Sequence, residues 1–512
     1  RLLGAPPEEQ EAVRDWLLER QPLRDSGVRI TAARGGEHSW GRYICLAPGG
    51  LVGRYASGDV DRTRRLFKLL YPRVLVRGMG AAYDRERRLM PVLLESERSG
   101  VSVALRRLKT DVARYTDAHE ATSAWVRRQL HSNDVNLDSG PQLVEALVAA
   151  KKVDAGRLGL TPTGRQHRSD KASLDAAVTD RRLSLALRYR SQVGTCLGTF
   201  MRPWLATAER TGGKIHTNWH QTRSFDGGAR TGRLSSSPNF QNIPNPLAFT
   251  DAEARALKAA ITGWLPPPLV RSYVVPGPGR VLIDRDYSQQ ELRALGHFEG
   301  GVLLRRYADD PWLDVHDTAR ELINQRTGRN WERRPVKNTG FGLIYGMGVG
   351  KLAETSGLTV SEAQELKRAY LAIFPGLQTL YQEMRRRAVA GEPVRTWGGR
   401  LYHCEPPAIV KGRLMTFDYK LLNVLVQGSS ADCTKEAVVR HAEAKDPDTD
   451  LLANVHDELL ASCPRGRRRE AMECMRSAME GVEFDVPMLT EGTWSDRSWA
   501  DLKDYDRRGV LV

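Results

Sequence analysis

Carboxylates follow apolar, strand-like runs at two places in the chain. Asp286 comes two residues after the run VLID at Val281–Asp284, and Asp457 and Glu458 stand inside the segment LLANVHDELLAS. Neighbouring carboxylates repel each other strongly at low effective dielectric unless a cation lies between them. Oxygen ligands of this kind suit Mg²⁺, and two such ions can clamp the attacking and leaving oxygens of a phosphoryl transfer. Each segment alone also fits an ordinary acidic turn, but together they predict a shared metal site.

A second group of side chains recurs every four residues. Its members, in the segment RRPVKNTGFGLIYGMG, are Arg333, Lys337, Phe341 and Tyr345. On a helix they form one stripe about 18 Å long, cationic in its N-terminal half and aromatic in its C-terminal half. A nucleoside triphosphate has the matching polarity, and the free N–H groups of a helix N-terminus favour phosphate. The same spacing also fits a surface helix whose aromatic residues pack in the core, so it indicates a nucleotide site without deciding it.

These side chains need strands and helices to position them. The sequence predicts a strand at Arg280–Asp284, a hairpin at Asn454–Ser462 and mostly helices over residues 299–420. The segment Arg230–Pro244 is too rich in Ser, Pro and Asn for regular structure. Over residues 81–130, apolar residues recur at three- and four-residue spacing, which predicts long amphipathic helices. The acidic residues are therefore expected at a strand end and at the tip of a hairpin, and the stripe on a helix.

Composition limits the classes of protein to which the chain can belong. Of its 512 residues, 41% are hydrophobic and 27% are charged, as in folded globular proteins. Lys and Arg outnumber Asp and Glu by 77 to 62, and the net charge of +15 favours a polyanionic partner, although a generally basic proteome gives the same balance. The sequence has neither a bilayer-spanning apolar stretch nor a secretory signal, and its six scattered cysteines predict reduced thiols in the cytoplasm. Since the chain opens with Arg1 rather than Met, we expect its true start to be missing.

Five segments resemble the signature motifs of the family A, or Pol I-like, DNA polymerases. They are TGRLSSSPNFQNIP at Thr231–Pro244, DYSQQELR at Asp286–Arg293, RRPVKNTGFGLIYG at Arg333–Gly346, NVLVQGSSADCTK at Asn423–Lys435 and VHDEL at Val455–Leu459. The family's typical form of the second segment is DYSQIELR. The resemblance extends from about Ala81 to Trp494, and chance convergence of five ordered motifs is negligible. The arginine-rich composition suggests a bacteriophage member.

The resemblance implies an α+β multidomain chain with the right-hand architecture of thumb, palm and fingers. The expected divisions are an exonuclease-like part at residues 1–78, the thumb at 79–200, the palm at 201–298 and 423–512, and the fingers at 299–422. The two parts of the palm would carry the two acidic segments, and the fingers would carry the cationic and aromatic stripe.

The resemblance also implies roles for the acidic and basic residues. Asp286 and Asp457 would bind two Mg²⁺ ions, for which Mn²⁺ can substitute, with Glu458 as an accessory acid. The triphosphate of the incoming nucleotide would contact three basic side chains, Arg333, Lys337 and His316. Lys337 would also protonate the departing pyrophosphate.

Other motif residues would contact the base, the sugar or the DNA. Phe341 and Tyr345 would stack on or beside the nascent base pair, and Gln289 would also bind the nucleotide. Glu291 would fill the space that a ribose 2′-hydroxyl needs, which gives a preference for deoxynucleotides. The residues expected to contact primer, template or minor groove are Arg233, Asn423, Gln427 and His456, with Arg271 and Arg400 as looser matches to basic family positions.

Two positions depart from the family's motifs. Gln290 replaces the usual Ile, and Gly340 stands where Asn is common. Because a helix-interior glycine costs about 1 kcal/mol relative to alanine, we expect Gly340 to loosen its helix. The thumb segment around Arg188–Phe200 also looks altered, so no duplex contact is assigned to it.

The segment YASGD resembles the last motif, Y-x-x-x-D, of DEDD-type 3′→5′ proofreading exonucleases. There Asp59 would bind metal and Tyr55 would orient the attacking water. Two-metal hydrolysis needs further carboxylates, including a D-x-E on an early strand, and no D-x-E precedes Tyr55. We therefore expect residues 1–78 to be the C-terminal part of such a domain, without proofreading activity in this chain.

The expected function is template-directed DNA synthesis, with primer–template DNA and dNTPs as partners. A single-subunit RNA polymerase is an alternative, because it shares the palm and a similar nucleotide-binding helix, but Glu291 and the QNIP and QGSSAD segments favour DNA. A catalytically inactive nucleic-acid-binding protein is a third hypothesis, although binding alone does not require the paired Asp286 and Asp457. We expect a monomer without membrane contact, located in the cytoplasm or, if phage-encoded, in the host cytoplasm.

Overall fold

The chain forms two compact units, Arg1–Asp84 and Arg85–Val512. The computed structural model describes residues 8–33, 38–161, 166–222, 228–410 and 412–512. The boundary predicted after residue 78 falls close to the division between the units. The predicted exonuclease-like part includes residues 1–7 and 34–37, which lie outside the described ones.

Helices make up most of the regular structure. The helices are α1 Glu8–Arg20, α2 Gly49–Val76, α3 Gly80–Ser99, α4 Leu105–Gln129, α5 Gly140–Ala149, α6 Ala155–Leu158, α7 Lys171–Ala177, α8 Arg181–Thr195, α9 Arg202–Arg210, α10 Asp251–Ala260, α11 Gln290–Glu299, α12 Val302–Asp309, α13 Val315–Thr327, α14 Arg333–Ile344, α15 Val349–Ser356, α16 Val360–Ile373, α17 Pro375–Ala390, α18 Tyr419–Ala444 and α19 Arg468–Glu480. A π-helical turn, Cys196–Met201, joins α8 to α9. Among the described residues, no helix combines the length and apolarity that a membrane span requires.

One six-stranded antiparallel sheet forms the centre of the second unit, with its strands in the order β10–β11–β5–β12–β13–β14. The strands of the chain are β1 Val101–Ser102, β2 Lys214–Ile215, β3 Asn218–His220, β4 Ser235–Ser237, β5 Arg280–Tyr287, β6 Val394–Arg395, β7 Leu401–Tyr402, β8 Ala408–Val410, β9 Arg413–Met415, β10 Asp450–Val455, β11 Glu458–Pro464, β12 Thr490–Ser495, β13 Lys503–Arg507 and β14 Val510–Leu511. The remaining strands pair as two-stranded ribbons, β1–β2, β3–β4, β6–β7 and β8–β9.

In the first unit, α1 packs against α2 through a small apolar core. Val13 and Leu17, which lie four residues apart on α1, are fully buried with Ile30 and Ala47. Three acidic residues in the first turn of α1 complement the positive end of the helix dipole.

Strand β5 separates two different environments. Its odd-numbered residues face α19, where the Tyr287 hydroxyl donates a 2.7 Å hydrogen bond to the carbonyl oxygen of Met479. On the same face, the guanidinium of Arg285 is fully buried and forms an ion pair with Asp506 of β13. Because side chains alternate along a strand, Asp284 and Asp286 project together from the opposite face. One face of β5 therefore packs in the core, and the other face carries the two aspartates.

Helix α18 is enclosed on nearly all sides and joins the sheet to the helical region. It packs against α19 on one side and against α11, α14 and α17 on the others. Small and apolar residues occupy most of its positions, as expected of a helix without a solvated face. Asn423 and Gln427 lie on its N-terminal half.

Three expectations about secondary structure need correction. The strand predicted at Arg280–Asp284 continues to Tyr287, because β11 and β12 pair with it on both sides up to that point, so Asp286 lies within the strand. The segment Arg230–Pro244 contains the short strand β4, which pairs with β3. The region predicted as mostly helical includes the β6–β7 and β8–β9 ribbons within residues 394–415.

Candidate active site

Asp286 and Glu458 lie directly opposite each other on neighbouring strands. Since Val455 pairs with Glu458, the hairpin between β10 and β11 turns through only His456 and Asp457. His456 has a φ of 63°, so this turn contains a residue in the left-handed conformation, which L-residues other than glycine rarely adopt. The carbonyl oxygen of Asp457 accepts a 3.3 Å hydrogen bond from the Tyr287 N–H, so the turn is tied to the end of β5. The fold thus brings the two predicted acidic segments together.

The carboxylates at this edge of the sheet carry raised pKa values. Burial raises the pKa of Asp286 well above its ordinary value, and the charges of Asp457 and Glu458 raise it further. Negative charge is therefore crowded at Asp286, even though solvent reaches part of its side chain. Burial is also the main reason that the pKa of Asp457 rises to about 6. Such crowding is what a divalent cation relieves.

Asp286 and Asp457 fit a metal that takes most of its ligands from elsewhere. Within the described residues, no three His, Cys, Asp or Glu side chains converge as a metal-binding group. Mg²⁺ is commonly bound by one or two carboxylates, with waters and substrate phosphates completing its shell. The donor set of two carboxylates therefore suits Mg²⁺ and does not resemble a closed structural metal site.

Glu458 and Asp284 form a buried group beside this pair. Arg271 donates two hydrogen bonds, of 3.1 and 3.2 Å, to the two oxygens of Glu458. The indole N–H of Trp499 lies 2.9 Å from Oε1 of Glu458 and 3.1 Å from Oδ2 of Asp284. Asp284 is only 4% exposed, and burial, followed by the charges of Glu458 and Asp286, raises its pKa well above the ordinary value. The sequence analysis missed Asp284 and Trp499, although strand alternation already places Asp284 on the face of Asp286.

Glu291 connects several predicted site residues. It lies in the first turn of α11, and its carboxylate accepts a 2.9 Å hydrogen bond from the Tyr345 hydroxyl. The same carboxylate pairs with Arg233 and lies 3.4 Å from Nε2 of Gln427. Both Glu291 and Arg233 perturb the pKa of Asp457, so the group borders the carboxylate pair.

The stripe on α14 lies along the exposed side of the helix. Lys337 Nζ is 5.8 Å from the centre of the Phe341 ring, and the Phe341 and Tyr345 rings stack with centroids 6.4 Å apart. Tyr345, the residue that caps the helix, is 40% exposed, whereas Val336 and Leu343 are buried on the other side. Phe341 is half-buried and packs against the core whereas Tyr345 is exposed, so the alternative of core packing holds for only one of the two aromatic residues.

The cationic end of the stripe already has acidic partners. Arg333 forms ion pairs with Asp314 at 2.7 Å and with Asp317 at 3.1 Å. His316 lies between these two acids in the sequence, and its ring is 5.2 Å from that of Phe341. Burial lowers the pKa of His316 to about 4, and its Nδ1 atom has no hydrogen-bond partner within the described part of the chain. His316 is therefore a neutral imidazole near the middle of the stripe.

Gly340 makes room for a neighbouring helix. A Cβ atom at this position would lie 2.6 Å from the hydroxyl oxygen of Tyr370, a buried residue on α16. Helix α14 is continuous through Gly340, and Tyr370 gives a packing reason for a glycine here, so the expected loosening stays a prediction. The other departure is also accommodated by packing, since Gln290 is buried and donates a 2.9 Å hydrogen bond to Thr434 of α18.

Three of the predicted nucleotide and DNA contacts are engaged within the protein. Arg400 pairs with buried Asp432 at 2.7 Å, and its guanidinium also donates to the carbonyl oxygens of Thr231 and Gly428. Gln289, with a φ of 55°, donates to the carbonyl oxygen of Leu313 and accepts from the N–H of Val315, the first residue of α13. Arg271 is held by Glu458, as described above. Their predicted contacts to substrate would therefore need a change of partner.

Two other predicted DNA contacts carry atoms without protein partners. Asn423 Nδ2 and His456 Nδ1 are both buried, and neither has a hydrogen-bond partner within the described residues. Burial, followed by the charge of Arg233, lowers the pKa of His456. A neutral imidazole and an amide N–H are both able to form hydrogen bonds with nucleic acid.

The residues of the exonuclease-like motif lie on α2. Asp59 pairs with Arg62 at 2.9 Å, and Arg62 also pairs with Glu9 of α1 at 2.6 Å. Burial is the main cause that raises the pKa of Tyr55, and a hydrogen bond with Asp59 contributes. The Asp59 carboxylate therefore has a cation beside it within the first unit. Its role in an exonuclease stays a prediction.

Comparison with known proteins identifies the family. A family model described as "DNA polymerase family A" matches residues 105–501. The chain belongs to this family. It is 29% identical over 456 residues to the thermostable DNA polymerase I of Thermus filiformis, covering 86% of this chain and 50% of that protein. It is 31% identical over 463 residues to DNA polymerase I of Pseudomonas aeruginosa, covering 86% of this chain and 46% of that protein.

This family A chain thus spans about half the length of those two relatives. It is also 25% identical to the DNA polymerase DpoZ of Vibrio phage phiVC8, covering 89% of this chain and 72% of that protein. One similarity to a phage protein leaves the bacteriophage origin a prediction.

A solved structure has the same fold. The POL domain of Pol1 from M. smegmatis, in complex with DNA primer-template and dNTP, superposes with a TM-score of 0.72. The two chains are 22% identical, and the match covers 95% of this chain and 78% of that one. The predicted α+β polymerase fold is confirmed, as is the family resemblance of the motifs.

Proposed function

We propose that this chain is a template-directed DNA polymerase that adds deoxynucleotides to a primer 3′-OH and releases pyrophosphate. One arrangement carries the proposal: Glu291 contacts the aromatic end of the exposed stripe through Tyr345 and also borders Asp457 of the carboxylate pair. A nucleotide lying along the stripe would therefore have its sugar near Glu291 and the reacting phosphate near the carboxylates. Family membership and the net charge of +15 support the same function.

Asp286 and Asp457 would hold two divalent cations, Mg²⁺ or in its place Mn²⁺. When bound, such cations neutralise charge on the transferring phosphate and on the attacking and leaving oxygens. The protein's part is to fix one carboxylate on β5 and the other in the turn before the neighbouring strand β11, so that little reorganisation is needed during the reaction. Glu458, engaged by Arg271 and Trp499, would act as an accessory acid rather than as a first ligand.

Arg333 and Lys337 would bind the triphosphate. Both side chains are exposed on the first turns of α14, so an anionic chain can reach them. Arg333 would exchange Asp314 and Asp317 for phosphate oxygens, which offer a guanidinium comparable charge-assisted hydrogen bonds. Lys337, lying next to Phe341, would donate a proton to the departing pyrophosphate.

Glu291 would select the sugar. Its carboxylate is held by Arg233 and Tyr345, so it cannot easily move away from a 2′-hydroxyl. Discrimination against ribonucleotides would follow from this fixed position. This feature favours DNA synthesis over the alternative of a single-subunit RNA polymerase.

Primer–template DNA and dNTPs are the proposed partners. The M. smegmatis relative with the same fold was solved with DNA primer-template and dNTP. A monomeric state and a cytoplasmic location remain predictions. We further propose that this chain does not proofread, since no D-x-E precedes Tyr55 to supply the further carboxylates that two-metal hydrolysis needs.

Primer extension tests the proposed function. A labelled primer annealed to a longer template should be extended with dNTPs and Mg²⁺, but neither with rNTPs at equal concentration nor in the presence of excess chelator. A primer whose 3′ end is mismatched to the template should stay intact in the same buffer without dNTPs. Failure to extend any primer, with the DNA still bound, would favour the inactive binding protein instead.

A further inference from the structure

Trp499 connects three charged side chains at the edge of the carboxylate pair. It lies after β12 and is 1% exposed, and its backbone N–H donates a 3.0 Å hydrogen bond to the carbonyl oxygen of Val274. Its indole N–H points between Glu458 and Asp284, at 2.9 and 3.1 Å. The guanidinium of Arg271 lies over its ring, 4.1 Å from the centroid. One neutral side chain thus contacts two acids and one base.

The Glu458 carboxylate lies between the predicted metal ligands and the side chains of Arg271 and Trp499. It is opposite Asp286 in the sheet and adjacent to Asp457 in the sequence, so a different rotamer would bring it toward the predicted metal ligands. Instead it accepts hydrogen bonds from Arg271 and from Trp499. Asp284 lies close behind it, on the same face of the sheet, and shares the Trp499 donor. Trp499 is thus one of the donors that hold the Glu458 carboxylate in this place, together with Arg271.

We propose that Trp499 is a positioning residue that keeps Glu458 turned away from Asp286 and Asp457. These two carboxylates then bind the divalent cations by themselves and leave the remaining coordination positions to water and phosphate. The inference rests on the proposed function for its catalytic meaning, but its first consequence concerns cation binding by the free protein.

Trp499→Phe separates the two contacts of the indole. The phenyl ring still packs under Arg271, but the N–H shared by Glu458 and Asp284 is lost. Glu458 then loses one of the donors that hold it, and a bound cation can draw its carboxylate toward Asp286 and Asp457. Because a third carboxylate adds negative charge to the site, cations should bind about 3- to 10-fold more tightly, a range that corresponds to about 0.7–1.4 kcal/mol. Catalysis should slow, because Glu458 occupies a position that the substrate phosphate needs.

Mn²⁺ binding to the full chain, without DNA or nucleotide, is the direct test. Free Mn²⁺ is counted by electron paramagnetic resonance for the wild type and for W499F. The proposal expects the tighter binding stated above, together with a lower extension rate at saturating Mg²⁺. General damage to the site would instead weaken Mn²⁺ binding. Unchanged or weaker Mn²⁺ binding in folded W499F overturns the proposal.

Two further variants isolate the contact. Trp494→Phe is a matched control, because Trp494 pairs with Ile283 and so faces the other side of the same sheet, under Arg468. It should leave Mn²⁺ binding unchanged. In an E458Q background, W499F should no longer tighten Mn²⁺ binding, because the carboxylate that moves is gone. Persistence of the effect in that background would refute the role given to Glu458.

A substitution that removes only the indole N–H serves as a control for effects on folding. Replacing Trp499 by 3-benzothienylalanine keeps the ring shape and exchanges the N–H for sulfur, so it should reproduce the W499F effect even if the smaller phenyl ring destabilises the chain. Thermal unfolding of each variant checks the fold. Mn²⁺ binding is measured without catalysis. A failure of the proposal for Trp499 is therefore distinguishable from a failure of the wild type to extend primers.

Discussion

The hydroxyl of Tyr345 donates a 2.9 Å hydrogen bond to the carboxylate of Glu291. The two residues are 54 positions apart in the sequence, and the bond joins the C-terminal end of α14 to the first turn of α11. The proposed base-stacking residue and the proposed sugar gate are therefore one unit. A shift of α14 would therefore also shift the carboxylate of Glu291.

Glu291→Ala should relax sugar selection. It removes the carboxylate that would meet a 2′-hydroxyl, so the ratio of rNTP to dNTP incorporation should rise about 10- to 100-fold, the range associated with small steric differences in a pocket. Single-nucleotide incorporation with matched rNTP and dNTP pairs measures the ratio. Tyr345→Phe keeps the ring but frees Glu291, and a smaller rise is expected. An unchanged ratio in Glu291→Ala would mean that another residue is the gate.

Asp286→Ala and Asp457→Ala should each abolish extension. The charge stabilisation that a bound metal supplies is worth several kcal/mol, and about 1.4 kcal/mol is tenfold in rate, so the loss should be at least about a thousandfold. Affinity for primer–template should be nearly unchanged in a gel-shift assay. Asp450→Ala is the control, because Asp450 pairs with Arg280 at the other end of the strands. Substantial extension by either active-site variant would contradict the metal assignment.

Phe341→Tyr should increase chain termination by dideoxynucleotides. In the family, a tyrosine at this position supplies a hydroxyl that stands in for the missing 3′-OH, and one hydrogen bond of this kind contributes up to about tenfold. Termination at a fixed ddNTP/dNTP ratio is the measurement, and ordinary extension should change little because the ring is retained. A wild type that already accepts ddNTPs as readily as dNTPs would show that Phe341 does not face the sugar.

His441 should make the fold sensitive to acid. Burial lowers its pKa to about 4 from an ordinary value of 6.5, so between these pH values the unfolded chain binds a proton that the folded chain does not. The free energy of unfolding should therefore rise with pH across this window and fall as the pH drops through it. In His441→Leu, the free energy of unfolding measured with urea should depend less steeply on pH. The slope should fall by the equivalent of up to about one proton.

Gly340→Ala should destabilise the protein despite the higher helix propensity of alanine. Propensity alone would add about 1 kcal/mol of stability. The new Cβ, however, would lie 2.6 Å from the Tyr370 hydroxyl, and overpacking of a core costs about 1–3 kcal/mol. Urea unfolding should show the loss, and Tyr370→Phe should recover much of it by removing the hydroxyl. A gain in stability for Gly340→Ala would mean that α16 moves aside freely.

Sequence reasoning found the residues that motifs carry, because each motif is a local pattern. It predicted a hairpin around Asp457 and a helix for the stripe, and the structure has both, whereas Asp286, expected just beyond a strand, lies within β5. The full length of β5 was not predictable from its own residues, since the pairing that extends it to Tyr287 comes from β11 and β12.

What sequence reasoning missed depends on contacts between distant residues. Asp284 looks like one more strand-end acid until Trp499, 215 residues later, donates to it. Arg400 looks like a surface cation, yet Asp432 is buried against it and fixes its guanidinium inside the protein. No local pattern predicts such pairs, because only packing decides whether a charged side chain has a partner or faces a substrate.

Strand β5 leaves little freedom for change along its length. One face is committed to α19 and to the buried pair of Arg285 and Asp506, and the other presents Asp284 and Asp286 to the site. A substitution at nearly any position of the strand therefore affects either folding or catalysis. Mutational tolerance in this chain should reach a minimum here, and variants selected for altered substrates should carry their changes on α14 and the surrounding loops.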